Sequence, residues 1–177
     1  MTLLGRTIRH LTDASSPTAL IGGLALAVHG ITRHTDDADL LSADGRVLSD
    51  TFWDSLRKEG VRVEVRRGDF DDPVRGVVRL TAGGERAVDV VVGRPAWHEQ
   101  LLTRRRTLRV GGEDLPVVDS ADLVLLKLEA GGVQDLLDVR LLLAGPEGEA
   151  IRADVESRLP ELPSSLQESW AAFRNPS

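Results

Sequence analysis

The sequence contains no cysteine, which excludes disulfides and zinc sites with cysteine ligands. Long apolar segments are missing too: the longest apolar run, residues 19–28, contains two glycines and is far too short to span a bilayer. We do not expect a secretory signal in the N-terminal residues, because Arg6, Arg9 and His10 interrupt them before an apolar core develops. We therefore expect a cytoplasmic protein with no membrane association.

An excess of positive charge is absent as well. The formal net charge is −6, from 22 Lys and Arg against 28 Asp and Glu. A chain with this balance does not attract nucleic acid as a whole, so any RNA contact would need a local basic patch. The concentrated basic run is residues 104–106, with Arg94 and Arg109 nearby. It either contacts phosphates of a tRNA end or is a solvated loop between hairpin strands.

What the sequence does contain is typical of one folded domain. Hydrophobic residues make up 41% and charged residues 28% of 177 residues, enough for a real core with a small helical appendage. A helix is predicted at residues 3–12, and a short apolar run at 19–21 leads through Gly22 and Gly23 into a second helix. Further strands are predicted at residues 37–41, 61–65, 77–80 and 87–92, a hairpin at 107–118, and helices at 48–59, 119–130, 134–144 and 149–158.

This order predicts an α+β fold with a mixed β-sheet flanked by helices. Strand patterns end near residue 118, and only helical patterns follow. We therefore predict two parts: an α/β core at residues 1–118 and a C-terminal helical part at residues 119–177 that packs on the core.

Three carboxylates form the most informative pattern. Asp37 and Asp39 lie two residues apart on a predicted strand, so their side chains point to the same face. Two such carboxylates repel each other unless a cation lies between them, and oxygen ligands of this kind suit Mg²⁺. Asp89 lies among valines on a later strand, where an acid is costly to bury without a partner. A metal ion shared by all three would supply that partner.

Gly22 and Gly23 fit the same chemistry. Backbone amides at the start of a helix attract anions, and glycine allows a phosphate to approach the main chain closely. Glycine pairs are common in turns, and acids two residues apart often only face water. The order of the features is more specific than each alone: strand, Gly-Gly, helix, Asp-x-Asp strand, then a third Asp.

These motifs resemble a known family. Residues 21–25 (IGGLA) and 33–41 (RHTDDADLL) resemble the signature of the DNA polymerase β-like nucleotidyltransferase superfamily. Within it, the chain is most similar to the AbiEii and MenT-type proteins, the toxins of type IV toxin–antitoxin systems. Residues 125–130 (LLKLEA) and 134–139 (QDLLDV) resemble the second motif of that group. The matching segments extend over residues 19–143.

The resemblance implies a minimal nucleotidyltransferase fold and a role for each acid. Asp37, Asp39 and Asp89 would be the catalytic residues and would bind Mg²⁺. Asp89 would also help to deprotonate the attacking hydroxyl. This assignment agrees with the physics, since metal ions align the nucleophile with the α-phosphate and neutralise charge in the transition state.

The resemblance also implies a set of nucleotide-binding residues. Gly22 and Gly23 would hold the triphosphate of an NTP, and Thr35 matches a small hydroxyl residue beside the phosphates. Lys127 would neutralise phosphate charge, and Asp135 would position Lys127 or the nucleotide.

Several of these residues have a second interpretation. Lys127 on an apolar helix also suits a long side chain that extends to solvent. Asp135 and Asp138 share one helix face, and we predict that Asp135 faces the cleft while Asp138 pairs structurally. Arg33 either reaches a phosphate or pairs with an adjacent acid.

Three functions remain open at this point. The first is Mg²⁺-dependent transfer of a nucleoside monophosphate from an NTP to tRNA, as in a toxin with a cognate antitoxin. The second is transfer to a small-molecule hydroxyl, as in antibiotic-modifying relatives. The third is a nucleotide-binding or partner-binding module without turnover. The chain is shorter than many members of the superfamily, which leaves the acceptor open.

Overall fold

The structure is a computed structural model that describes residues 1–32, 34–70, 72, 74–94 and 96–175. Arg33, for which two roles were predicted, lies outside the described residues. The chain divides into two compact units. The first comprises Met1–Ala25 and Arg33–Val118, and the second comprises Leu26–Thr32 and Asp119–Ser177.

The first unit contains a mixed sheet of seven strands within the described residues. In chain order they are β1 (Thr18–Ile21), β2 (Asp37–Ser42), β3 (Arg62–Arg67), β4 (Val74–Thr81), β5 (Ala87–Gly93), β6 (Arg106–Val110) and β7 (Glu113–Val117). Their order across the sheet is β3-β4-β5-β2-β1-β7-β6. The pairs β2/β5 and β1/β7 are parallel, and the other neighbours are antiparallel. The predicted α+β class with a mixed sheet is confirmed.

Buried and partly exposed side chains alternate along the central strands, which gives this sheet one buried and one half-exposed face. Val78 and Leu80 of β4 and Val88 and Val90 of β5 are fully buried, because the period of two points them to the same side. The residues between them, including Arg79 and Asp89, are only partly buried. The charged residues of these strands therefore collect on the half-exposed face.

Among the described residues of the first unit, four α-helices begin: α1 (Leu3–Asp13), α2 (Gly22–Val28), α3 (Asp54–Lys58) and α4 (Ala96–Arg104). Thr2 caps α1 by accepting a hydrogen bond from the Gly5 backbone N–H. Helix α1 packs against β1, β5 and β7, and α4 packs against β2. Helix α2 starts at the residue that directly follows β1, as predicted from the two glycines.

The single helix predicted over residues 48–59 is wrong. Two short 3₁₀ turns, Gly45–Leu48 and Asp50–Trp53, precede the five-residue helix α3. Ser49 between them has extended backbone angles, φ −80° and ψ 134°. The buried Trp53 indole N–H donates to the Val47 carbonyl at 2.8 Å, which stabilises the broken conformation. Helix α4 was not predicted at all.

The second unit is helical. It contains α5 (Ser120–Ala130), α6 (Val133–Ala144), α7 (Gly148–Arg158) and α8 (Ser164–Arg174), and α5 packs against the other three. The predicted cap of α5 is confirmed, since the Asp119 side chain accepts from the Asp122 backbone N–H at 2.8 Å. Gly131 ends this helix with a left-handed φ of 66°. None of the described helices combines the length and apolarity needed to cross a bilayer.

Candidate active site

The sheet places the three predicted acids on adjacent strands. Asp39 and Asp89 are direct partners in the parallel pairing of β2 with β5. Asp37 lies two residues before Asp39 and so points to the same face of the sheet. The three carboxylates therefore share the half-exposed face, where the Asp89 side chain is 16% exposed and that of Asp37 is 33% exposed.

A fourth charged residue, Arg79, lies between two of these acids. Its Nη1 is 2.6 Å from Asp89 Oδ2 and 3.3 Å from Asp37 Oδ2, and its Nη2 is 3.4 Å from Asp37 Oδ2. Arg79 and Asp89 are cross-strand partners of β4 and β5. Sequence reasoning missed this residue. The alternation of β4 could have placed Arg79 on the polar face of the sheet, but only the register of β4 against β5 places it beside the acids.

The environment of Asp89 suits a group that accepts a proton or binds a cation. Burial raises the pKa of its carboxyl above the usual value, the Arg79 guanidinium opposes that rise, and the Asp37 carboxylate adds to it. Its Oδ1 atom is buried and finds no hydrogen-bond donor among the described residues. A buried acceptor without a donor is costly, so this oxygen is suited to a ligand that supplies positive charge.

Gly22 allows the Asp39 carboxylate to lie against the start of α2. Its φ is +64°, and a Cβ added there would be only 2.1 Å from Asp39 Oδ2. Any other residue would combine a left-handed backbone with a steric clash. The glycine therefore keeps Asp39 next to the backbone that was predicted to hold a triphosphate.

Gly23 makes a similar contact with Thr35. A Cβ on Gly23 would be 3.0 Å from the Thr35 Cβ, closer than side chains normally approach. The Thr35 hydroxyl donates to the Asp37 carbonyl at 3.0 Å. Thr35 is therefore held beside both the glycine pair and the first acid, so the structure brings together Gly22, Gly23, Thr35 and the three acids.

Gly22→Ala tests the contact with Asp39. We expect the variant to lose both stability and any function that depends on Asp39, because the new methyl group displaces the carboxylate. Gly84→Ala is the matched control, since Gly84 also has a left-handed φ, +75°, but no atom lies within 4 Å of its added Cβ. Urea unfolding of both variants separates backbone strain, which they share, from the clash. Equal destabilisation of the two variants would contradict the prediction, because the contact of the new methyl group with Asp39 would then add nothing to the backbone strain.

The donor set fits a divalent cation. Three carboxylates on one face supply the oxygen ligands that Mg²⁺ prefers. The Asp89 Oδ1 atom, which accepts no hydrogen bond from the described residues, is available as one of these ligands. With the side chains as they stand, no three His, Asp or Glu side chains of the described residues converge tightly enough to hold a metal ion. In this arrangement the Arg79 guanidinium lies between Asp37 and Asp89 and contacts both carboxylates.

Lys127 and Asp135 lie in the second unit, in an ion cluster of their own. Lys127 Nζ is 2.9 Å from Asp135 Oδ1 and 2.7 Å from Asp138 Oδ2, and the lysine side chain is only 6% exposed. Gln134 donates to the other Asp138 oxygen at 3.0 Å. Asp138 is fully buried, whereas Asp135 is partly exposed. Both acids therefore pair with Lys127, and the alternative in which the lysine extends to solvent is wrong.

The basic run at residues 104–106 spans the junction of α4 and β6. The Arg105 guanidinium donates to the Leu102 carbonyl at the end of α4. Arg105 and Arg106 are exposed. Arg109, on β6, pairs with Asp114 of β7 at 3.2 Å. The run thus presents two exposed arginines and does not lie between hairpin strands, and the alternative of a contact with RNA stays a prediction.

Solved structures resemble this fold. An antigenic nucleotidyltransferase-like protein of Paracoccidioides brasiliensis aligns with a TM-score of 0.51 at 18% identity, over 93% of this chain and 90% of that one. A candidate nucleotidyltransferase of Thermotoga maritima aligns at 0.53 and 18% identity, over 78% of this chain and 91% of that one. The chain has a nucleotidyltransferase fold.

A third structure with this nucleotidyltransferase fold is an antibiotic-resistance protein. ANT(2″)-Ia, solved in complex with adenylyl-2″-tobramycin, aligns with a TM-score of 0.53 at 15% identity, over 89% of this chain and 97% of that one. No protein-family model and no curated protein sequence matches the chain. At these identities the likeness shows the fold, and the chemistry of the site has to be argued from its own residues.

Proposed function

We propose that this nucleotidyltransferase-fold protein is a Mg²⁺-dependent enzyme that transfers a nucleoside monophosphate from an NTP to an acceptor hydroxyl. The observation that carries the proposal is the position of Asp37, Asp39 and Asp89 on one face of two adjacent strands. Gly22 lies directly against Asp39 at the same place. Binding of a divalent cation and a triphosphate requires carboxylates and accessible backbone at one point, and this arrangement supplies both.

The residues of the site share three tasks in this mechanism. Asp37, Asp39 and Asp89 would hold Mg²⁺, which supplies charge neutralisation at the α-phosphate. Gly22 and Gly23 let the triphosphate approach the main chain, and Thr35 lies beside them. Asp89 would also help to accept the proton of the attacking hydroxyl.

For the acceptor we propose tRNA, with the protein acting as the toxin of a type IV toxin–antitoxin system and a separate antitoxin as its partner. The support is the resemblance of its motifs to the AbiEii and MenT-type group. The exposed Arg105 and Arg106 offer a local basic patch for an RNA end in an otherwise acidic chain.

A small-molecule hydroxyl is the second candidate acceptor. The observation that favours it is the likeness to ANT(2″)-Ia, whose structure contains an adenylylated aminoglycoside. The net charge of −6 is also compatible with a small acceptor that requires no extended basic surface. A module that binds nucleotides without turnover is the remaining alternative, and the presence of all three acids argues against it.

Incubation with α-labelled nucleotides tests the proposal and names the acceptor. The purified protein is given each labelled NTP in turn with Mg²⁺ and either total tRNA or tobramycin, beside the Asp39→Ala variant. We expect label on tRNA with the unchanged protein alone. Label on tobramycin instead would show that the acceptor is a small-molecule hydroxyl. Label on neither would leave a binding role as the better account of the site.

A further inference from the structure

Arg79 takes the position at which two of the proposed metal ligands would share a cation. Its guanidinium bridges Asp89 at 2.6 Å and Asp37 at 3.3 Å. Without it, two carboxylates on the same face would repel each other, and that of Asp89 is mostly buried. Arg79 is therefore the internal counter-ion of the site.

The register of the sheet extends this arrangement into a row of four charged residues. Glu64 of β3 pairs with Arg79, Arg79 pairs with Asp89, and Asp89 pairs with Asp39, so the four side chains lie side by side on one face. Glu64 forms ion pairs with Arg62 and Arg66 at 2.7 Å and 3.8 Å. In the sheet register, Arg79 thus lies between Glu64 on β3 and Asp89 on β5.

The position of Arg79 makes its contact with the acids exchangeable. Its side chain is 38% exposed, so a long flexible arm can move without opening the core. Moving the guanidinium away without a replacement is unfavourable, because the negative charges of Asp37 and Asp89 would then have no counter-ion. A divalent cation among the acids would replace its charge and repel it, whereas the phosphates of an NTP would give it a new partner.

We propose that Arg79 is a positioning residue that exchanges partners. Without ligands it pairs with Asp37 and Asp89, and when a divalent cation and an NTP bind together it releases these acids and pairs with a phosphate. This inference rests on the proposed function and adds to it a coupling between the binding of the cation and the binding of the NTP. A divalent cation alone has to compete with the guanidinium, so it binds weakly until a nucleotide provides the alternative partner.

Mn²⁺ binding, measured by electron paramagnetic resonance, tests this exchange without relying on activity. Arg79→Gln removes the competing charge, so we expect it to bind Mn²⁺ alone about 5- to 150-fold more tightly than the unchanged protein, the usual range of a coupling between two sites. A non-hydrolysable ATP analogue should then tighten Mn²⁺ binding in the unchanged protein far more than in Arg79→Gln.

Arg66→Gln is the matched control. Arg66 lies on β3 two residues after Glu64 and so on the same face, but its ion pair is with Glu64 and not with the acids of the site. The Arg66→Gln variant therefore measures how the removal of one nearby positive charge by itself changes the affinity for Mn²⁺. Arg79→Lys is a second variant that keeps a charge near the acids, and it should bind Mn²⁺ alone nearly as weakly as the unchanged protein. Circular dichroism verifies that each variant is folded.

The outcomes separate this inference from the proposed function. If Arg79→Gln binds Mn²⁺ no more tightly than Arg66→Gln, while Asp39→Ala abolishes binding, the metal site stands and the exchange is wrong. If no variant binds Mn²⁺, both the metal site and the exchange are wrong. If Arg79→Gln tightens binding as expected but no NTP labels any acceptor, the exchange stands and the transfer reaction is wrong.

Discussion

Asp39→Ala is expected to reduce nucleotidyl transfer by about 10³-fold or more, because a catalytic metal supplies several kcal/mol of transition-state stabilisation and 1.36 kcal/mol corresponds to a factor of ten. Asp39 is in register with Asp89 and lies against Gly22. Its loss therefore removes a ligand at the point where the acids meet the glycine pair. Asp37→Ala and Asp89→Ala should have effects of the same order, measured as the initial rate of label transfer.

Asp36→Ala is the control for this prediction. Asp36 is next to Asp37 in the chain, but its side chain is 90% exposed and pairs only with the equally exposed His34 among the contacts described. Its removal changes the net charge by the same amount and should leave transfer within about twofold, since exposed ion pairs contribute little. A similar loss of rate in Asp36→Ala and Asp39→Ala would show that general charge, and not the ligand set, accounts for the effect. Near-normal transfer by any one of the three acid variants would remove that acid from the metal site.

The acid cluster could be predicted from the sequence because it depends on short-range rules. The period of two places Asp37 and Asp39 on one face, and an acid among valines indicates that Asp89 needs a partner. Both rules operate within one strand. The actual pairing of β2 with β5 then brought the two strands together in register.

The contact of Arg79 could not be predicted in this way. It depends on the register of β4 against β5, which several neighbouring side chains determine together. The clash that reserves position 22 for glycine is also tertiary, since it involves a carboxylate from a different strand. A glycine pair in the sequence indicates a turn, but not which side chain will lie against it.

The wrong helix at residues 48–59 has a comparable cause. The apolar spacing there suits a helix, but Trp53 is fully buried and its indole needs an acceptor. The Val47 carbonyl supplies that acceptor in a chain that is extended at Ser49. Tertiary packing thus overrides the local helical preference.

Lys127→Met is expected to lower the free energy of unfolding by about 3–5 kcal/mol, the usual cost of breaking a buried ion pair. The substitution keeps the length of the side chain but leaves Asp135 and the fully buried Asp138 without their cation. Lys58, the other lysine of the chain, is exposed, so Lys58→Met should change stability by less than about 0.5 kcal/mol. Urea unfolding of both variants measures the difference.

A double variant of the same cluster tests whether Lys127 also binds nucleotide. Its ammonium has three N–H donors, and its contacts within the cluster are with Asp135 and Asp138. The double variant Lys127→Met with Asp138→Asn removes both buried charges and should regain much of the lost stability. If Lys127 contacts the phosphates, this folded double variant binds NTP more weakly than the unchanged protein does. Unchanged NTP affinity would instead give Lys127 a purely structural role, as the cation that holds α5 and α6 together.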